Sequence, residues 1–278
     1  MIIDSHHHLW RYDSKEYAWI DDSMAELRHD FLVPELAGIA EASQIDGFVS
    51  VQARQTLSET DALLQMAAES DLIRGVVGWV PLADESVGDI LAIYGDTDWL
   101  RGVRHVVQNE PDDRFLLRND FNRGIAQLSD AGLVYDLLIF AKQLPAAIEF
   151  VDAHPDLPIV LDHIAKPTIQ AAQFDSAWES NLRELARRDH VHCKFSGVVT
   201  EVRDDQWTLD VIQRYWDVTL DAFTPDRLMF GSDWPVCLLA TDYARWLSSV
   251  QMLAKQCTES ERRRMFADNA IAFYGLSR

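Results

Sequence analysis

The chain has 278 residues, 48% of them hydrophobic and nine of them tryptophan, and carries a formal charge of −20. That apolar content supplies a sizeable core and excludes disorder, while the acidic balance excludes nucleic acid and anionic membrane surfaces as expected partners. No signal peptide and no apolar span of about 18 residues is visible, and Cys193, Cys237 and Cys257 lack C-x-x-C spacing, so a soluble cytoplasmic protein with reduced thiols is expected.

The first run of β character is IIDSHHH, residues 2–8. An engineered tag would sit in a polar, flexible linker, whereas these histidines lie between Ile2–Ile3 and Leu9–Trp10 and read as the end of a buried strand. Side chains alternate along a strand, so Asp4, His6 and His8 are expected on one face and Ser5 and His7 on the other. Two imidazoles so placed can grip one ion or polarise one substrate atom, although an isolated H-x-H is also common among ordinary core histidines. Residues 9–30, with Trp10, Tyr12, Tyr17 and Trp19, form a long aromatic loop suited to a substrate lid. Seven more β-type runs follow: FVSVQAR (48–54), IRGVVGWV (73–80), LRGVRHVV (100–107), VYDLLIF (134–140), PIVLDHI (158–164), VHCKFSG (191–197) and RLMFGSDW (227–234). Helical periodicity fills the intervals. SETDALLQMAAES (58–70) opens with Ser58 and Asp61 three residues on, and NDFNRGIAQLSDAG (119–132) sets Phe121, Ile125 and Leu128 on one stripe before Gly132. Further helices are expected over 142–154, 176–188, 208–222, 242–256 and 260–274; the last holds the short basic run Arg262–Arg264.

Strand and helix alternate eight times without a linker or repeat, and no G-x-G-x-x-G follows the first strand. The expected architecture is therefore an α/β single-domain (β/α)8 barrel over residues 1–278 with an extra C-terminal helix. Such barrels build their sites at the carboxyl ends of the strands. Those ends carry His6 and His8, Gln52 and Arg54, Arg104 and His105, Tyr135 and Asp136, His163, Lys194 and Ser196, and Asp233 with Trp234. Three histidines and one aspartate from strands one, six and eight match the inventory of a mononuclear zinc site with an open coordination position.

The motifs D-x-H-x-H, GVRH, VLDHIAKP, KFSGVVTE and MFGSDWPVC, spread over strands one, four, six, seven and eight, resemble the amidohydrolase superfamily. More narrowly, IDSHHHLWRYDSKEYAWI, VQAR, YDLLIF and GSDWPVCLLA resemble its sugar-lactonase branch, which includes L-fuconolactone and L-rhamnonolactone hydrolases. The resemblance runs from residue 2 to about 275. It implies that His6 and His8 are the first-strand pair, His163 the later-strand histidine and Asp233 the eighth-strand aspartate. Together these four would be the catalytic group and the ligands of one divalent metal. Many members of the superfamily bridge two metals with a carboxylated lysine on the fourth strand, but this chain has Arg104 and His105 there, so a binuclear centre is not expected. Lactonases of this branch need not use a metal at all, and zinc enters as an optional cofactor.

Opening a lactone requires a water to lose a proton, attack a carbonyl carbon and expel the ring alkoxide. Asp233 is the expected general base; a helix N-cap is its blander reading. A bound metal would lower the pKa of water from 15.7 towards about 7, and without one the three histidines would donate hydrogen bonds instead. Arg54 and Arg104 are expected to bind substrate oxygens, Trp10 and Trp234 to stack on a sugar ring, and Gln52, Lys194 and His105 to complete the binding surface. His105 has the opposite parity from Arg104, so it reaches the mouth only if the strand ends there. The same arginines and tryptophans also occur as ordinary ion pairs and core residues. His7, His29, His154, His190 and His192 are read as structural or exposed. The expected partner is a small-molecule sugar lactone of the L-fucono-1,5-lactone type, and a homo-oligomer is compatible with the chain. The alternatives are a lactonase for a dicarboxylate or aromatic-derived lactone, a decarboxylase on the same scaffold, and a catalytically silent binding barrel.

Overall fold

Eight short runs rich in Val, Ile, Leu and Phe form the strands β1 (Ile3–His7), β2 (Gly47–Val51), β3 (Ile73–Gly78), β4 (Leu100–Val106), β5 (Val134–Leu138), β6 (Ile159–Leu161), β7 (Val191–Phe195) and β8 (Leu228–Phe230). They pair in parallel and in chain order. The sheet closes on itself just beyond β8, where His7 bridges Trp234, His8 N donates to Trp234 O at 2.7 Å and Asp233 N donates to His6 O at 2.8 Å. The computed structural model, which describes residues 1–95 and 97–277, thus has the (β/α)8 barrel architecture that the alternation of elements implies.

Helices α1 (Val33–Ser43), α2 (Leu57–Ala68), α3 (Val87–Tyr94), α4 (Asn119–Asp130), α5 (Leu144–Ala153), α6 (Ser176–Leu185), α7 (Leu209–Arg227) and α8 (Tyr243–Leu253) follow the strands, and α9 (Glu259–Arg263) and α10 (Asn269–Tyr274) close the chain around a π turn over Arg264–Asp268. Periodicity does not anticipate α1 and α3, whose apolar stripes are short. Helix α2 begins before Ser58, because Thr56 is its cap and accepts a hydrogen bond from Glu59 N. Gly132, at φ +68, ends α4 as expected. Among the described residues no helix is long and apolar enough to cross a membrane.

The apolar residues sort into two layers. One fills the space between sheet and helices; the other fills the barrel interior with Ile3, Val49, Val51, Val77, Val134, Val160 and Met229. Ala267, Ala270, Tyr274 and Leu276 of the C-terminal segment plug the amino-terminal end of this inner layer. Each fully buried side chain of this size contributes about 1.5–3 kcal/mol, so the plugged end is the stable end and the opposite mouth is free to carry polar groups.

Two local departures from regular strand geometry set up that mouth. Asp4 pairs with Phe48 and His7 with Ser50, so β1 spends three steps where β2 spends two: a β-bulge. The bulge shifts the phase of alternation, so Asp4 does not share a face with His6 and His8 as simple alternation predicts. Asp4 instead accepts hydrogen bonds from Ser232 N and from the Tyr243 hydroxyl on α8. Strands β6 and β8 also stop short of the runs expected over 158–164 and 227–234. Beyond β6, His163, Ile164, Ala165 and Lys166 have φ of 53°, 50°, 62° and 45°, and Asp233 beyond β8 has φ of 58°. The left-handed region costs an L-residue about 1–2 kcal/mol, so these side chains are held off the ladder by their surroundings.

Candidate active site

Three imidazoles and one carboxylate meet at the mouth. Nε2 of His8, His6 and His163 lie 3.3, 3.7 and 3.8 Å from one oxygen, Oδ1 of Asp233. All four side chains are 5% exposed or less, and His6, His163 and Asp233 each offer a donor atom within 4.8 Å of the others. The Nδ1 side of each ring faces a fixed partner: Asp162 Oδ1 at 3.2 Å for His6, the Val51 carbonyl at 2.8 Å for His8 and Ser196 Oγ at 2.9 Å for His163. Since a carbonyl can only accept, His8 carries its proton on Nδ1. Its Nε2 can then face an ionised Asp233 oxygen only with a proton or a metal cation between them. Imidazoles whose far nitrogens are anchored and whose near nitrogens converge with a carboxylate fit a divalent ion.

The protonation states follow from burial and neighbours. Burial pushes His163 down to about 4 and His6 well below its ordinary value, so both are neutral near pH 7. Burial acts the other way on Asp233, but His163, the contact with His8, and His6 outweigh it and hold the carboxyl below its ordinary value. An ionised carboxylate beside the neutral His6 and His163 rings is suited to orient and deprotonate a water.

Beneath this group lies a second buried network. Lys194 on β7 is paired with Asp136 on β5 and with Asp162 Oδ1 at 3.1 Å, while its Nζ lies 3.2 Å from His6 Nδ1. Arg104 Nη1 donates to Asp162 Oδ2 at 3.0 Å and approaches His6 Nε2 at 3.2 Å. The Tyr274 hydroxyl from the C-terminal plug contacts both Asp136 oxygens at 3.0 Å. Two cations and two carboxylates balance, as a buried set must. Burial alone would favour the acid form of Asp162, but Lys194, His6 and Arg104 hold it well below the usual carboxylate range. Gly197, at φ +60, completes the frame: a Cβ there would stand 2.6 Å from His163 Nδ1 and 2.8 Å from Asp233 Oδ2.

A cavity of about 480 Å³ opens above Asp233, lined by His8, His163, Arg54, Arg104 and Lys166 and roofed by Glu16, Ala18 and Trp19 of the 9–30 loop. The loop is pinned at its base by Trp10 Nε1 donating to His29 O at 3.0 Å and by the Tyr17 hydroxyl on Glu59 at 3.1 Å. Glu16 also pairs with Arg54 across the mouth.

The structure brings together His6, His8, His163, Asp233, Arg54 and Arg104, and places the other expected binding residues elsewhere. Gln52 is buried and holds Arg104, accepting from its guanidinium and donating to its carbonyl at 3.2 Å. Lys194 is fully buried in the network below the cavity. His105 pairs with Glu110 at 2.7 Å and stacks on Phe115, because β4 continues to Val106 and keeps its outward parity. Trp10 and Trp234 are 1% and 4% exposed and pack on Phe31; Trp19 presents its ring to the cavity instead. Sequence reasoning gives no role to Asp162, Lys166 or Gly197. The spacing H-x-x-K in HIAKP is the one signal that could have drawn attention to Lys166.

This is a (β/α)8 barrel with His and Asp groups converging at its carboxyl mouth, and the amidohydrolase family profile matches residues 3–276. The chain belongs to the amidohydrolase family. It is 40% identical to the L-fucono-1,5-lactonase of Burkholderia multivorans, over 99% of this chain and 96% of that protein. It is 33% identical, over the same shares, to the L-fucono-1,5-lactonase of Burkholderia ambifaria. A crystal structure of an amidohydrolase from Burkholderia multivorans with bound zinc matches with a TM-score of 0.95 at 40% identity, covering 100% of both chains.

Proposed function

We propose that this protein is a lactone hydrolase that opens a sugar-acid lactone of the L-fucono-1,5-lactone type to its aldonate. The observation that carries the reading is the convergence of His6, His8 and His163 on Asp233 at the floor of the cavity, in a chain 40% identical along its length to an L-fucono-1,5-lactonase. Asp233 orients a water and takes its proton as the water oxygen bonds to the lactone carbonyl carbon. It then returns a proton to the ring oxygen as the carbonyl carbon–ring oxygen bond breaks. His6, His8 and His163 fix the carboxylate, and the 9–30 loop limits bulk water. Zinc would be held by His6, His8, His163 and Asp233; when bound, it supplies carbonyl polarisation and a more acidic water.

Cavity charge supports a neutral lactone over a dicarboxylate. Arg104 is matched by Asp162 and Arg54 by Glu16 and Glu59, which leaves no arginine to spare for a polyanion. A cytoplasmic setting is supported by the three cysteines, all free and buried.

The test is a pH-indicator assay over a panel of aldonolactones, with native and chelator-treated protein. Asp233→Asn is expected to lower kcat by roughly 10²–10⁴-fold, the scale of a positioned general base; full activity in that variant would remove Asp233 from the mechanism. Unchanged rates after verified metal removal would retire zinc while leaving the four residues in place.

A further inference from the structure

Three cations line the cavity, and two are already committed. Arg104 is hydrogen-bonded to Asp162 and to the Gln52 carbonyl. Arg54 pairs with Glu16, lies 3.8 Å from Glu59 and stacks over Tyr17 at 4.9 Å. Lys166 differs. Among the described residues its ammonium makes no hydrogen bond, and its one ion-pair partner, Glu201, is 3.9 Å away. That glutamate is hydrogen-bonded by Arg203 at 2.9 Å.

The backbone delivers this ammonium to the site. His163–Lys166 is a left-handed turn closed by Lys166 N donating to His163 O at 2.8 Å. It is clamped where the Trp178 indole donates to Ile164 O at 2.7 Å and where Ile164 and Ala165 are fully buried. Strain of this kind persists only when the surroundings over-determine it, and it concentrates at functional sites. The turn presents His163 and Lys166 to one cavity, and the lysine side chain keeps 17% of its surface open.

We infer that Lys166 is the substrate-contacting cation of this site. Its ammonium faces the negative charge that forms on the lactone carbonyl oxygen and, after collapse and ionisation of the new carboxyl group, the charge of the product carboxylate. The assignment rests on the lactone-hydrolase reading. As water oxygen bonds to the carbonyl carbon, the carbonyl π pair moves onto oxygen beside Lys166. When that pair returns, the ring carbon–oxygen bond breaks and the ring oxygen takes the proton held by Asp233. The new carboxyl group ionises with release of one proton to solvent, and Lys166 supplies charge without itself exchanging a proton.

Lys166→Met and Lys166→Arg test this. Loss of one preorganised donor to an oxyanion costs roughly 10²–10³-fold in kcat, so Lys166→Met is expected to lose that much with a small change in KM for the neutral lactone, and Lys166→Arg to recover part of it. Calorimetric affinity for the aldonate should fall roughly tenfold or more in Lys166→Met, the scale of one charged hydrogen bond, while the melting temperature holds. A purely structural lysine would shift melting and leave the kcat-to-KM split and aldonate affinity alone, which overturns the assignment. So does a Lys166→Met enzyme with wild-type kcat. If the wild-type protein opens no aldonolactone, the lactone-hydrolase reading fails separately. Aldonate binding then decides Lys166 by itself: loss in the methionine variant supports the assignment, and equal binding or no wild-type binding overturns it.

Discussion

The residues with the least freedom in the site are those that hold others still. Gly197 is the clearest: its positive φ and the closeness of His163 and Asp233 to the position a Cβ would take leave no space for a methyl group. Gly197→Ala is therefore expected to move both side chains, and a displacement near 1 Å costs about 10²-fold in rate. Steady-state kinetics on the lactone checks this; wild-type kcat/KM in that variant would show that the frame yields without cost. Lys194 acts at one remove. With its charge shared by Asp136 and Asp162 and its Nζ 3.2 Å from His6 Nδ1, it anchors the ring through the carboxylate between them rather than touching substrate.

At the scale of elements, the C-terminal helix α10 does more than finish the chain. It inserts Tyr274 into the barrel, where the hydroxyl contacts both oxygens of Asp136 at 3.0 Å. The plug thus meets the polar network that supports His6 from below. Tyr274→Phe removes a donor from a buried carboxylate, and the expected loss is about 1–3 kcal/mol, read as a lower urea midpoint. Because Tyr274 lies on the far side of Lys194 from the cavity, KM should stay at its wild-type value. A change in KM without a change in midpoint would contradict that division between support and site.

For the molecule as a whole, the cost of burying several histidines near one end of the barrel appears in its dependence on pH. His7, turned outward on β1 with Nε2 2.8 Å from Ser50 Oγ, is pushed by burial down to about 3. The unfolded chain takes up this proton below about 6.5, whereas the native state refuses it until about pH 3. Between those values the unfolded state binds more protons, so stability falls as pH falls. The share due to His7 is at most about 1.4 kcal/mol per pH unit. Chemical denaturation of the wild type and His7→Asn, repeated between pH 7 and pH 4, isolates that share. The stability difference between them should shift against the wild type as the medium becomes acid, and a constant difference would exclude the linkage.

Much of the fold was legible because strand and helix periods are local. Eight apolar runs separated by amphipathic stripes specify parallel strands with crossovers, and the polar residues at the run ends mark the mouth. Helices α1 and α3 escaped because their stripes are short, and the ends of β6 and β8 because a left-handed turn carries no periodic signature in non-glycine residues. Simple alternation misplaces the face of Asp4 for a related reason: one inserted residue in β1 reverses parity, and the bulge is visible only against its partner β2. Sequence alone determined the barrel and which imidazoles and carboxylate were available to it. Tertiary structure alone decided which cations were already neutralised, since Arg54, Arg104 and Lys194 meet their acids across the fold, while Lys166 reaches the cavity with no hydrogen bond among the described residues and with Glu201 3.9 Å away. Pairing between distant charges depends on where the chain closes, and no local pattern records that.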